Sequence, residues 1–214
     1  MNQRPRTPDE TYGPALQKAE KEFCQLDPWQ AAIRAAVAFE AQSPSAGVFQ
    51  VPYFGQLFHI EWPQASVQRA NEQRKVDIAT RILLLHDLLT ADGTPMADQW
   101  IAFRNLPGGL GYDAAFRGRA SMRLSHAFGT ELSTFVDVAT AHGGERLTFG
   151  DASFLFRALP RVWLAVVVHL ADDEFPAEAN VLFDGAASHY LPTEDLAVLG
   201  GMLAGQLVKA AKAR

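Results

Sequence analysis

The sequence predicts an α+β fold, in which helices cover one mostly antiparallel sheet within a single domain. Stretches with helical spacing and stretches rich in valine and aromatic residues are segregated along the chain, whereas a parallel α/β sheet requires regular alternation. The 214 residues also contain no internal repeat, low-complexity tract or clear linker. One domain is therefore the simplest interpretation of a chain of this length.

The first elements predicted along the chain are an arm and a broken helix. Residues 1–13 are polar and contain proline, which indicates a flexible arm that precedes a domain at 14–214. Helical spacing follows over residues 15–40. We expect it to be interrupted at Asp27 and Pro28, because proline pushes the residue before it out of the helical conformation.

The later strands and helices follow from the spacing of apolar residues. Residues 47–61 alternate like strands around Gly55, which predicts a bent hairpin. The predicted sheet consists of residues 47–61, 99–103, 146–169 and 180–184. The helices predicted to cover it are residues 72–90, 130–142 and 194–211. Thr193 is predicted to cap the last helix, with Glu194 and Asp195 in its first turn, where the helix dipole favours acidic residues.

Composition and charge limit the possible classes of function. Hydrophobic residues make up 48% of the chain and charged residues 20%, which is typical of a folded globular protein. The net charge of −5 provides no general attraction to nucleic acid or to anionic membranes. The lone Cys24 cannot form an internal disulfide or bind a cluster by itself, and no apolar run is long enough to span a bilayer. We therefore expect a cytoplasmic protein with no nucleic-acid or membrane partner.

The clearest local feature is an acidic segment at residues 172–195. It contains seven carboxylates and one histidine, and no lysine or arginine occurs between Arg161 and Lys209. Because an unpaired carboxylate is costly to bury, we expect cations near those that lie beside apolar residues. The arginines concentrated upstream of this segment are Arg104, Arg117, Arg119 and Arg123.

Arg104 is the predicted partner of the acidic segment, because it follows an apolar strand and a guanidinium can bind a carboxylate through two hydrogen bonds. Its expected partners are Glu174, Glu178 and Asp184. The predicted ligand-binding residues are Arg104, Glu174, Glu178, Asp184, His189 and Tyr190. The alternative is a metal site, since imidazoles and carboxylates together bind transition metals. The residues of that alternative site are His169, Glu174 and His189.

The glycine-rich sequence "GLGYDA" partly matches a nucleotide-binding motif. Gly109, Gly111 and Ala114 match a relaxed dinucleotide fingerprint that follows a predicted strand. However, Pro107 interrupts the junction, and the acidic residue expected at the end of a second strand is Glu131, which opens a helix. The motif therefore does not favour a dinucleotide cofactor.

Three blocks of the sequence resemble a known family. "WIAFRNLPGG", "GDASFLFRALPRVWL" and "DDEFPAEANVLFDGAASHYLPTEDLAVLG" are similar to the signature blocks of the bacterial and archaeal DUF3786 family, over about residues 49–203. The resemblance implies an association with a neighbouring four-cysteine iron–sulfur module and with anaerobic or redox-linked metabolism. This chain departs from that arrangement, because its single cysteine cannot supply the cluster.

Three functions remain open from the sequence. The first is a binding module for a small molecule or a cofactor, for which a tetrapyrrole-like molecule is one candidate. The second is an enzyme that uses carboxylates and His189 for acid–base or metal-assisted chemistry. The third is an interaction module for an iron–sulfur protein. No motif identifies a cofactor.

Overall fold

The computed structural model describes residues 8–72 and 74–213, together with their side chains from residue 12 onward. Contacts between these residues divide the chain into two units. Unit 1 contains residues 1–94 and 189–191, and unit 2 contains residues 95–188 and 192–214. Each unit has its own antiparallel sheet.

The sheet of unit 1 is a four-stranded meander in the order β1-β2-β3-β4. Its strands are β1 (Ala38–Ser43), β2 (Ala46–Tyr53), β3 (Gln56–Trp62) and β4 (Ser66–Arg69). The predicted hairpin joins β2 to β3, and its two turn residues, Phe54 and Gly55, both have positive φ values, of 46° and 74°. This combination is typical of tight hairpin turns, because its twist matches that of the strands, and glycine adopts it without steric cost.

Three helices complete unit 1. They are α1 (Pro8–Phe23), α2 (Pro28–Ala35) and α3 (Ile78–Thr90). Asp27 begins α2, because its Oδ1 accepts hydrogen bonds from the amides of Trp29 and Gln30, at 2.9 and 3.1 Å. Phe23 on α1 lies against Phe49 on β2, with ring centroids 5.7 Å apart, and both side chains are fully buried.

Unit 2 contains a five-stranded antiparallel sheet in the order β5-β9-β8-β7-β6. Its strands are β5 (Trp100–Ala102), β6 (Glu145–Leu147), β7 (Ala152–Leu159), β8 (Val162–His169) and β9 (Glu178–Asp184). Its α-helices are α4 (Asp113–Arg119), α5 (Ser121–Phe128), α6 (Leu132–Ala141) and α7 (Thr193–Lys212). Short 3-10 helices at Phe103–Asn105 and Gly109–Tyr112 connect β5 to α4.

Gly200 on α7 allows this helix to pack closely against the aromatic core of unit 2. Phe103 stacks on Phe116 with ring centroids 4.2 Å apart, and both rings pack near Phe183 on β9. A Cβ atom at Gly200 would lie 2.8 Å from the Phe116 ring, closer than side chains normally approach. Glycine at this position therefore lets α7 approach the aromatic cluster.

The predicted fold class is confirmed, since the chain is α+β with antiparallel sheets and helices. The strands form two sheets, however, so residues 47–61 do not belong to the same sheet as the later strands. Strands β1 and β4 were not predicted, and residues 36–40 were expected to be helical. Helix α2 stops earlier because Ala36 has left-handed backbone angles, with φ at 57°.

Two expectations about chain ends also need correction. Residues 8–13 of the predicted arm belong to α1, whereas residues 1–7 lie outside the described part of the chain. Thr193 does not cap α7, because Pro192 occupies the capping position and the Thr193 hydroxyl donates to the Pro107 carbonyl oxygen at 2.7 Å.

No helix in the described residues is both long enough and apolar enough to cross a membrane.

Asp87 on α3 is a carboxyl group buried in unit 1. Its side chain is 1% exposed, and its Oδ2 has no hydrogen-bond partner within the described residues. Burial raises the pKa of Asp87 well above its usual value, because the charged form loses its stabilising contact with water. The folded protein therefore favours the neutral carboxylic acid.

We expect Asp87→Asn to raise the free energy of unfolding at about pH 8 by at least about 1 kcal/mol, or about 2–4 °C in melting temperature. The wild type loses stability as the pH rises above about 3.9, because the exposed carboxyl of the unfolded chain ionises more readily than the buried one. Asparagine cannot ionise, so the difference between the two proteins should vanish near pH 3 in thermal melts. The exposed Asp98→Asn serves as the control, and parallel pH profiles for wild type and Asp87→Asn would contradict the expectation.

Candidate functional site

The residues predicted as one binding site are divided between the two units. The members that belong to unit 2 are Arg104, Glu174, Glu178 and Asp184. The members that belong to unit 1 are His189 and Tyr190.

Asp184 at the end of β9 is satisfied by the backbone. Its side chain is 2% exposed, and its Oδ1 accepts hydrogen bonds from the amides of Ala97 and Ala186, both at 2.9 Å. Arg104 is exposed, and it forms no ion pair within 4.0 Å with any carboxylate in the described residues. Within the described residues, Arg104 therefore forms no ion pair with its three expected partners, and two backbone amides satisfy the buried Asp184.

The acidic loop, residues 172–178, is ordered by its own backbone. Asp172 Oδ1 accepts hydrogen bonds from the amides of Phe175 and Glu174, at 2.6 and 2.9 Å. These hydrogen bonds lower the pKa of Asp172, with the bond from Phe175 as the largest cause, because they stabilise the charged carboxylate. The side chains of Glu174 and Glu178 are exposed, so they stay in water.

The alternative metal site receives no support from the geometry. Within the described residues, no group of three or more histidine, cysteine, aspartate or glutamate side chains is arranged to hold a metal ion. His169 ends β8 with its side chain exposed. The set of His169, Glu174 and His189 is therefore not assembled as a coordination site.

The structure brings His189 to a carboxylate that the sequence did not single out. His189 Nδ1 lies 2.7 Å from Asp92 Oδ2, and the Thr94 amide donates to Asp92 Oδ1 at 2.8 Å. Hydrogen bonds from His189, and then from the Thr94 hydroxyl and amide, hold the pKa of Asp92 well below its usual range. In a neutral imidazole, Nδ1 then carries the proton that faces Asp92, and Nε2 keeps a lone pair.

Tyr190 anchors the same segment from inside unit 1. Its side chain is fully buried, and its hydroxyl donates to the Thr94 carbonyl oxygen. The His189 cluster is therefore Asp92, Thr94, His189 and Tyr190. Asp92 was missed because "DGTP" in the sequence indicated only the end of a helix, and nothing in the sequence relates it to a residue 97 positions later.

Unit 1 also contains a cavity of about 630 Å³. Its walls come from Glu20 on α1, residues 64–68 at the start of β4, and Arg81 on α3. Glu72 and residues 74–76, which precede α3, complete the lining. Three residues of the lining, Ala65, Val67 and Val76, are apolar and buried.

Basic residues outnumber acidic residues around this cavity. Arg81 Nη2 lies 2.6 Å from Glu20 Oε1, so this guanidinium is held in place by an ion pair. Glu72 pairs with Arg69 at 3.4 Å. Arg74 and Lys75 are exposed and have no ion-pair partner within the described part of the chain.

These residues were missed because the helix prediction started too early. Residues 72–90 were expected to be helical, but α3 begins at Ile78, after Asp77 accepts a hydrogen bond from the Thr80 amide at 2.9 Å. Arg74 and Lys75 therefore lie in a loop beside the cavity. The "DIAT" sequence around this start contains the capping aspartate, which could have placed the helix start correctly.

The glycine-rich stretch does not form a dinucleotide site. Gly109–Tyr112 is a 3-10 helix, and β5, the strand that precedes it, pairs antiparallel with β9. A dinucleotide fingerprint requires a parallel strand–turn–helix unit. Glycine is required at position 109 by close packing, since a Cβ atom there would clash with the Phe103 carbonyl group.

Comparison with known proteins identifies a family without a known role. Residues 27–206 match the family described as Domain of unknown function (DUF3786). The resemblance found in the sequence is confirmed, and the match begins earlier than the predicted residue 49. No curated protein and no solved structure matches the chain.

We expect Tyr190→Phe to lower the free energy of unfolding by about 1 kcal/mol, because the Thr94 carbonyl loses the hydrogen bond donated by the buried Tyr190 hydroxyl. Urea denaturation followed by circular dichroism measures this change. Tyr112→Phe is the matched control, since Tyr112 is 58% exposed and its hydroxyl group is available to water. Equal stability of the two variants would show that the Tyr190 hydroxyl does not stabilise the His189 cluster.

Proposed function

We propose that this chain, which belongs to the DUF3786 family, binds a small anionic molecule in the cavity of unit 1. The observation that carries the proposal is a lining that contains Arg74 and Lys75, two cations without an ion-pair partner among the described residues, beside the apolar Ala65, Val67 and Val76. Binding sites for small molecules typically have volumes of about 300–1,000 Å³ and combine apolar walls with a few polar groups. The cavity of about 630 Å³ lies within this range.

Charge favours an anion over a neutral or cationic ligand. Within the lining, Glu20 is already paired with Arg81, and Glu72 is paired with Arg69. Arg74 and Lys75 are then the charged side chains left to bind a ligand. A phosphate or a carboxylate fits these groups, since guanidinium and ammonium groups donate several hydrogen bonds to anionic oxygens.

The ion pair with Glu20 fixes the position of the Arg81 guanidinium beside the cavity. The side chains of Arg81 and Glu20 are only 26% and 34% exposed. A guanidinium that is already oriented loses less conformational entropy when it also binds a ligand. Arg81 therefore suits a positioning role beside the exposed side chains of Arg74 and Lys75.

The ligand class can be narrowed with two probes. Inorganic phosphate tests for recognition of a small anion, and a porphyrin with several carboxylates tests for the tetrapyrrole-like ligand considered from the sequence. Both carry oxygen anions, but only the porphyrin also has a flat apolar surface for Ala65, Val67 and Val76. Tighter binding of the porphyrin than of phosphate would indicate a cofactor-sized ligand that also contacts these apolar residues.

We expect the double variant Arg74→Glu, Lys75→Glu to weaken binding of whichever probe the wild type binds by at least about tenfold. Each hydrogen bond to a charged group contributes about 1.5–3 kcal/mol, and the reversed charges also repel the ligand. Isothermal titration calorimetry of the full chain measures the affinities. The affinity of the wild type for its probe should also fall as the salt concentration rises, because ions screen the exposed charges.

The matched control for this experiment is Lys209→Glu, Lys212→Glu on α7, which changes the net charge equally within unit 2. This control should bind the probe as the wild type does. Equal affinities for the two double variants, or no binding of either probe to the wild type, would overturn the proposal.

A second candidate function, acid–base chemistry at His189, is supported by the 2.7 Å contact between His189 Nδ1 and Asp92 Oδ2. A carboxylate at this position orients the imidazole and fixes its tautomer, so that a neutral ring presents the lone pair of Nε2. The His189 side chain is 46% exposed, so a substrate can reach it.

We expect Asp92→Ala to slow acylation of His189 by a small imidazole-reactive reagent, because the imidazole loses the group that stabilises its positive charge. Mass spectrometry of peptides measures the rate at each histidine. His126, which is exposed on α5, is the internal control and should react at the same rate in both proteins. An unchanged rate at His189 would remove the support for acid–base chemistry at this position.

A further inference from the structure

Unit 2 exposes a group of arginines next to apolar side chains. Arg119 ends α4 and Arg123 lies on α5, and both lie near α7, since a Cβ atom added at Gly201 would be 3.9 Å from Arg119 Cβ and one at Gly205 would be 3.6 Å from Arg123 Nη1. Met122, between them in sequence, is 52% exposed. We define the arginine patch as Arg117, Arg119, Met122 and Arg123. Leu110 and Tyr112, in the 3-10 helix that precedes α4, are also exposed, by 75% and 58%.

The acidic loop has the complementary character. It presents Phe175, which is 66% exposed, among the carboxylates of Asp173, Glu174 and Glu178. The hydrogen bonds from Asp172 to the amides of Glu174 and Phe175 fix the turn that carries this ring. The loop therefore combines an apolar side chain with negative charge on an ordered backbone.

The two surfaces lie at opposite ends of α5. The acidic loop meets the C-terminal end, where the Ala171 amide donates to the Gly129 carbonyl at 3.3 Å and Ala177 lies against Gly129. The arginine patch lies at the N-terminal end, around Arg119 and Arg123. An eight-residue helix is about 12 Å long, and no ion pair within the described residues joins these two surfaces.

We propose that a second copy of this chain binds here, with the α5 helices of the two copies antiparallel and the arginine patch of each copy against the acidic loop of the other. A two-fold axis makes the same contact twice, so four complementary surfaces are buried in one interface. Phe175 of each copy then packs on the apolar surface around Met122 of its partner. Charge complementarity favours a second copy as the partner. The arginine patch and the acidic loop carry opposite charges, and no ion pair among the described residues joins them within one chain.

The exposed face of α5 is compatible with this arrangement. Its exposed residues are Met122, Arg123 and His126, which are one turn apart or adjacent. Its buried residues, Leu124 and Phe128, pack into unit 2. Because the contacts are mainly ionic at the edges, association should weaken as salt shortens the range of the charges from about 10 Å at 0.1 M to about 3 Å at 1 M.

Sedimentation velocity of the full chain over a range of protein and salt concentrations tests the proposal. We expect a dimer at low salt that dissociates at high salt. Two double variants, Arg119→Glu with Arg123→Glu and Asp173→Arg with Glu174→Arg, should each weaken self-association at least about tenfold, because like charges then face each other. The control Lys209→Glu with Lys212→Glu should dimerise as the wild type does.

Mixing the two charge-reversed variants provides the decisive measurement. One variant has acidic residues on both surfaces and the other has basic residues on both, so an equimolar mixture should form a heterodimer that neither variant forms alone. Fluorescence anisotropy of one labelled variant detects it. A wild type that is monomeric at all concentrations, or a mixture that stays monomeric, would overturn the proposal. Recovery in the mixture also shows that both variants fold.

Discussion

Aspartate side chains that accept hydrogen bonds from backbone amides determine where many elements of this protein begin and end. A short carboxylate side chain reaches the amides two or three residues ahead, which otherwise have no partner at a helix start or in a turn. The aspartates that bind amides in this way are Asp27, Asp77, Asp92, Asp172 and Asp184. The negative charge of the chain is thus partly compensated by the backbone, and several arginines remain available for other partners.

This constraint explains why the acidic segment and the arginines are not paired within the chain. Asp184 is buried, yet it needs no cation, because the amides of Ala97 and Ala186 already stabilise its charge. Asp172 is stabilised in the same way at the surface. The glutamates have longer side chains that seldom reach a nearby amide, and Glu174 and Glu178 extend into water instead. Charge arithmetic alone cannot distinguish these cases, since backbone dipoles do not enter the count.

The sequence predicted local features well and distant contacts poorly. The hairpin around Gly55, the valine-rich strands of unit 2 and the terminal helix all follow from periodicity, because each is defined by neighbouring residues. Strand β1 was missed because its helical spacing is overruled by pairing with β2. The contact between Asp92 and His189 was also missed, because it depends on the tertiary fold, which brings together residues 97 positions apart, and not on any local spacing. His189 and Tyr190 were predicted to line a site beside the acidic segment, and their partners in the structure are Asp92 and the Thr94 carbonyl.

The tie between Tyr190 and Thr94 has a consequence for the order in which the protein is made. Residues 189–191 group with unit 1, although almost a hundred residues of unit 2 separate them from Thr94 in sequence. A ribosome that has released residues 1–94 has therefore not yet supplied Tyr190 and Leu191, both of which are fully buried in the finished structure. Unit 1 acquires these two core side chains only after all of residues 95–188 have been made. A nascent chain that pauses before residue 190 consequently lacks two side chains that the finished unit 1 buries.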